Sequence, residues 1–449
     1  MKTRWLLLGI PVLCVGVTAV FAADWPQWRG PDRTDVSKEQ GLLQTWPEKG
    51  PQLAWKYDNA GLGFSCIAVV GDVLYTMGAR NEEEYAIALK LKDGEPPTQL
   101  WAVKLGPIFI DNVNSCGDGP RATPTVDGNH VYCLSGHGEL VCITRDKGQE
   151  VWRKSLKKDF KGEVMEHIPT RNWGFCESPL IDGNKLVCCP GGPDGWMIAL
   201  DKTDGKTLWR TTGIKDQATN SSMVIAEIGG VRQYINSSYK GKDGAALQGI
   251  AAADGKVLWQ APLKEWDYYS INASPIVFKD AKEGELVYAS SSKGCGLFKI
   301  EKTGDGAFTA VDKYDAKAKR NMLNEHGGMV LIDGHIYGYS DPVGWACQDL
   351  LSGALKWKEM REVEGKGSLT FADGNLYLLS EEGEVVLLKA NSQAKGFWQE
   401  KGRFTLPALS PSRVNRPTNQ GVKVWTHPVV ANGRLYVRDQ ELIYCYQVK

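Results

Sequence analysis

The chain has 449 residues, and its 53 basic and 53 acidic side chains cancel to a formal net charge of zero at pH 7. That balance argues against a surface built for nucleic acid or for an anionic membrane. The length alone would suggest two or three domains, yet no interior stretch is rich enough in Pro, Ser or charge to mark a linker.

Residues 1–22 read as an export signal. Lys2 and Arg4 supply a basic start, Trp5 to Phe21 a mostly apolar run, and Val20-Phe21-Ala22 a cleavage site before Ala23. Pro11-Val12-Leu13, ahead of Cys14, lack the small residue of a bacterial lipid-attachment signal. A cleaved leader and a soluble product, periplasmic or secreted, are expected. No other run is long and apolar enough to span a bilayer, so the chain is not expected to be an integral membrane protein. Residues 23–51 read as an aromatic, Pro-rich extension that packs on the domain formed by residues 52–449.

From Gln52 onward one pattern repeats. Its clearest copy is Pro179 to Trp209, in which Leu180-Ile181 and Leu186-Val187 flank an Asp182-Gly183-Asn184 turn, followed by Met197 to Asp201 and a strand ending on Leu208-Trp209. Apolar pairs around turn chemistry make this four short antiparallel strands. The same turn recurs at Gly71-Asp72, Asp127-Gly128-Asn129, Gly229-Gly230, Asp333-Gly334-His335, Asp373-Gly374-Asn375 and Asn432-Gly433-Arg434. Closing tryptophans stand at Trp55, Trp101, Trp152, Trp209, Trp259, Trp357 and Trp398, spaced 41 to 57 residues apart except for one double gap of 98 near Tyr314. Four strands per period of this length make an all-β, eight-bladed β-propeller of four-stranded antiparallel blades. Each closing ring is expected to wedge against the neighbouring blade. Trp55 ends a lone outer strand and the last repeat, Pro428 to Val448, has only three, so the N-terminal strand is expected to complete the last blade and close the ring.

Candidate ligand residues are those just before each first strand, because loops entering those strands gather on one rim of a propeller's channel. They are Arg121, Asn172, Glu177, Asn220 with Ser221, Asn272, Glu325 with His326, Lys366, and Trp425 with His427. Carboxylates, amides, bases and aromatic faces suit a polar ligand or a calcium ion. Long connections at Lys104 to Gly119, Leu156 to Trp173 and Leu406 to Lys423 add Asp111, Asn112, Asn114, Asp118, Arg413, Arg416 and Asn419. Glu325 and His326 are adjacent, and on a strand they would point to opposite faces. The six histidines, among them His167, are scattered without zinc-site spacing. Gly191-Gly192-Pro193-Asp194-Gly195 joins two strands rather than opening a helix, which argues against a phosphate loop. Of the 11 cysteines, Cys133, Cys142 and Cys445 sit in apolar strands as small hydrophobes, whereas Cys188-Cys189 are adjacent at a strand end.

These repeats resemble the quinoprotein-type, or PQQ-like, propeller repeat, whose docking motif is matched by Ala199-x-Asp201-x-x-x-Gly205-Lys206-x-x-Trp209. The likeness runs from about Gln52 to the C-terminus. The opening Asp24-Trp25-Pro26-Gln27-Trp28-Arg29-Gly30-Pro31 is similar to the start of many secreted bacterial proteins of this class. Such a repeat specifies a fold and not an activity. Resemblance to the quinoprotein alcohol dehydrogenases implies pyrroloquinoline quinone and calcium at the ring centre, with Cys188-Cys189 as a vicinal disulfide packed on the cofactor. Glu177 with Asn220 or Asn272 would then hold calcium and Arg121 would meet a cofactor carboxylate. A base is harder to name, since Asp267 lies several residues upstream of Asn272. Resemblance to the outer-membrane assembly lipoprotein implies instead a scaffold without cofactor. This chain is short for a quinoprotein dehydrogenase and has no C-x-x-C-H haem site. The expectation is a binding or scaffolding module without a cofactor, taking a protein or a polar small-molecule or glycan ligand at the channel face. Two alternatives stand beside it: a quinone-dependent alcohol or sugar dehydrogenase, and a glycan-binding or polymer-modifying protein.

Overall fold

The computed structural model describes residues 24–449 except 111–116, 167–171, 267–269, 305, 342, 394 and 414–422. The leader, Asp111, Asn112, Asn114, His167, Asp267, Arg416 and Asn419 fall outside the described residues, as does the side chain of Arg413. Eight antiparallel sheets follow one another along the chain. Blades 1 to 7 span 68–107, 125–155, 180–210, 217–263, 276–312, 329–359 and 367–405, and blade 8 spans 429–447. First strands of neighbouring blades touch and line a central channel. The seven turns read from the sequence are all two-residue hairpin loops, with Ile332 opposite His335 and Ala372 opposite Asn375, for example. At Asp333-Gly334 both residues take positive φ, 47° and 74°, the geometry that matches the twist of the flanking strands.

Ring closure is made by the strand Leu53–Tyr57, which pairs antiparallel with Leu442–Gln447 and sets Trp55 opposite Cys445. Arg438, fully buried, reinforces that seam by donating to the carbonyls of Ser65 (2.7 Å), Met77 (2.6 Å) and Gly61 (2.9 Å) at the start of blade 1.

The closing rings dock on glycines. A Cβ at Gly205 would lie 2.9 Å from the Trp152 ring, whose indole N–H donates to the Lys202 carbonyl at 3.0 Å. Trp101 sits in the same way on Gly148, and Trp209 on Gly255. Only glycine leaves room for a ring to reach the backbone here. In blade 5 the missing tryptophan is replaced by Tyr314, buried against Gly353 and donating to the Leu350 carbonyl at 2.5 Å. Trp398 is a correction. It precedes the fourth strand of blade 7, Glu400–Thr405, and packs edge-on against Trp357 of blade 6. The ring that serves blade 7 is Trp46 of the extension, 5.8 Å from Tyr377 and 5.5 Å from Phe404. Spacing along the chain misses it because Trp46 arrives from more than 300 residues upstream.

Residues 25–39 run along the inner strands and fill the channel. Trp25 exchanges backbone hydrogen bonds with Val69 in the first strand of blade 1, and Pro26 accepts from Val126 in blade 2. The chain then reverses through Arg29, Gly30, Arg33 and Asp35, all at positive φ. It returns beside the first strand of blade 7, where Ser37 donates to Phe371 at 2.8 Å and Phe371 donates to Asp35 at 2.8 Å. Ser37 Oγ and Glu39 Oε1 bond the first strand of blade 8 and its turn at Val430 and Asn432.

Candidate functional site: a cup at the channel mouth

The reversal of this plug makes the floor of a cup. Trp28 and Arg29 form the floor, and the wall comes from residues just ahead of the first strands of seven of the eight blades, enclosing about 200 Å³. Blade 4 shows how the local chain achieves this. Its first strand is interrupted between Gln217–Ala218 and Val224–Ile228, both paired with the second strand, and the break turns Asn220 and Ser222 into the cup.

Of the residues expected from the sequence, Arg121, Asn220, Asn272, Glu325, His326, Trp425 and His427 line the cup. Glu325 and His326 both do so. The expectation of opposite faces fails because they belong to a bend ending in Gly327 and Gly328, at φ 87° and 66°, and not to a strand. Asn172, Glu177, Cys188, Cys189 and Lys366 do not line it. Asn172 caps its own loop by accepting from Gly174. Lys366 stands behind the wall, paired with Glu325 and with Asp341 at 2.9 Å. Cys188 and Cys189 are buried free thiols. Glu177 is turned into the wall, where its Oε2 accepts from the Cys189 backbone at 2.6 Å. Burial pushes its carboxyl up to about 7 against the opposing pull of that amide and of the Arg33 charge. The calcium set Glu177, Asn220 and Asn272 is therefore split, and no group of three His, Cys, Asp or Glu side chains among the described residues could hold a metal.

Sequence reasoning did not foresee the plug's share of the site. Asp35, completely buried, accepts from Arg29 Nε at 2.5 Å and faces His427 Nδ1 at 2.9 Å. Burial pulls the Asp35 carboxyl up, but the Arg29 charge and the His427 contact outweigh it and leave it below the ordinary carboxylate value. Arg33 anchors the reversal by donating to the carbonyls of Ser178 (2.8 Å) and Pro179 (3.2 Å). The signal available was the motif Trp25 to Pro31 itself, which no periodic rule could place.

The aromatic faces of the cup are fixed at their edges. Trp28 packs on His427 at 4.5 Å between centroids, and its indole N–H donates to Ser274 Oγ at 3.3 Å. Trp425 stacks on Phe64 at 5.6 Å and lies 4.8 Å from His326. Its indole N–H donates at 3.0 Å to Glu381, a carboxyl lowered to about 2, where burial is overcome by His326 and Trp425. Asn220 Nδ2 donates to Asn272 Oδ1 at 2.9 Å, and Asn272 Nδ2 to the Glu325 carbonyl at 2.7 Å. Arg121 spans the Phe64 and Phe109 rings while donating to the carbonyls of Gly117 and Gly119.

Fold and cup together define a PQQ-like propeller whose channel is closed by its own N-terminal segment. A family model described as outer membrane protein assembly factor BamB matches residues 82–359, more than half of the chain, and the chain belongs to that family. The outer membrane protein assembly factor BamB of Yersinia pestis is 21% identical over 382 residues, 80% of this chain and 82% of that protein. A lanthanide-dependent methanol dehydrogenase of Methylacidiphilum fumariolicum is 29% identical over 132 residues, which is 26% of this chain and 19% of that protein. Among solved structures, the quinohemoprotein alcohol dehydrogenase from Comamonas testosteroni superposes with a TM-score of 0.64 at 13% identity, covering 94% of this chain and 80% of that one. At such identity the likeness is one of fold alone. No helix among the described residues is long and apolar enough to cross a membrane.

Proposed function

We propose that this protein is an exported binding module, periplasmic or secreted, that takes its ligand in the cup and carries no resident cofactor. The observation behind the reading is the plug. Trp28 and Arg29 stand on the channel axis at the level where loops from seven blades converge, so the convergent groups face a small cup and not an open channel. The dispersal of Glu177, Cys188 and Cys189 away from that cup favours binding over quinone chemistry. The relatives divide between an assembly factor and dehydrogenases, and family membership favours the former class.

The test is a titration of the purified full chain with pyrroloquinoline quinone and calcium, read by difference absorbance and by melting temperature. The expected result is no saturable spectrum and no rise in melting temperature. A stoichiometric quinone spectrum with a raised melting temperature would overturn the reading in favour of a dehydrogenase.

A further inference from the structure

The hydrogen-bonding state of the cup specifies the chemistry of what it can hold. Asn272 can reach the Glu325 carbonyl only through its Nδ2, which assigns its Oδ1 as the acceptor from Asn220 Nδ2. That assignment commits the Asn220 amide in turn. Its Oδ1 is left as an acceptor at the cup surface. His427 is committed in a parallel way. Its Nδ1 faces the Asp35 carboxylate at 2.9 Å, which places a proton on Nδ1 and leaves Nε2 for the cup. Arg29 is paired with Asp35, and Glu325 with Lys366. Arg121 spends donors on two carbonyls and its face on two rings.

Asn220 Oδ1 and His427 Nε2 are left beside the hydroxyls of Ser178, Ser222, Ser270 and Ser274, between aromatic faces whose edges are pinned, Trp28 and Trp425. A ligand suited to this surface brings hydroxyl groups and flat apolar faces. A sugar ring brings hydroxyl donors around its rim and C–H groups on its faces, and both needs are met in one molecule.

Building on the binding reading above, we propose that the cup holds a neutral saccharide ring, stacked on Trp28 and Trp425, with hydroxyls donating to Asn220 and His427.

The experiment is isothermal titration calorimetry, with tryptophan fluorescence, of the full chain against maltohexaose, cellohexaose, xylohexaose, laminarihexaose and N-acetylchitohexaose, with hexagalacturonate as the anionic comparison. At least one neutral oligosaccharide is expected to bind saturably and to quench fluorescence, while the uronate does not bind. Trp425→Ala and Asn220→Ala should each weaken that binding at least about tenfold. Trp425→Phe, which keeps an aromatic wall if the alanine variant folds poorly, should retain most of it. Absence of binding by every neutral oligosaccharide, or tighter binding of the uronate, overturns the saccharide assignment and leaves the cup reading standing. Saccharide binding that survives both alanine variants unchanged overturns the proposal and, with it, the cup as the site.

Discussion

The ring and the segment that fills it are held by different chemistry. Blades meet through tryptophan, tyrosine and aliphatic side chains, and most residues of their second and third strands are buried. The plug buries Trp25 too, but alongside it Arg29, Arg33, Asp35, Ser37 and Glu39, all below 6% exposure. Apolar contacts are non-directional, so eight blades with different side chains can use one docking pattern. Buried charges are satisfied only by specific partners, and the polar plug residues bond blades 3, 6 and 8 through contacts that do not repeat. The ring supplies stability by repetition, whereas the plug supplies a single, unrepeated shape inside it.

Three measurements break or sharpen that contrast. The largest effect is expected from the closing strand. Deleting 52–57 removes the partner of Leu442–Gln447 and leaves blade 8 with an open edge, so cooperative thermal unfolding should be lost. Deleting 24–35 should leave a closed ring that still melts cooperatively at a lower temperature. Equal melting curves for the two deletions would show that the closing strand holds the ring no more than the plug does.

A smaller effect separates two docking rings of the same kind. Trp152 is 8% exposed and seated on Gly205, so Trp152→Ala should cost about 3–5 kcal/mol by denaturant titration. Trp209, seated in the same way on Gly255, is only partly buried, and Trp209→Ala should cost less, about 2 kcal/mol. If the order were reversed, the burial of the ring would not be the source of the stability.

The smallest effect lies where plug and ring meet. Glu177, between Arg33 of the plug and Cys189 of blade 3, has a folded-state value of about 7 against an ordinary 4.5. Between those values the folded protein binds more protons than the unfolded chain, so stability falls as pH rises across that window. Glu177→Gln should flatten the slope between pH 5 and pH 7 and raise the melting temperature above pH 7. A slope unchanged by the substitution would assign it to another group.

Much of the ring was legible because its signals are local and repeated. Two-residue turns, alternating strands and Trp209 at a set distance from Gly205 are encoded within about 30 residues, and repetition makes each copy support the next. Closure was legible too, since Trp55 had no inner strands before it and the last repeat had no outer strand after it. The cup was legible in part, through the rule that loops ahead of first strands converge on one rim.

What tertiary structure alone decided is how the axis is filled and which of the convergent residues face it. Nothing in Asp24 to Asp35 repeats, and its partners Val69, Ser178, Met329, Phe371 and His427 are scattered over most of the chain, so no periodicity could reveal them. Glu177 and Asn220 both stand ahead of first strands. One turns into the wall because an amide at Cys189 and the charge of Arg33 await it there, and the other reaches the cup because its strand is broken. Sequence by itself determined the blades, their number and their closure, because burial of apolar faces depends on pattern. Only packing in three dimensions decided the plug and the cup, because a buried charge or a committed amide depends on the one partner within hydrogen-bond reach.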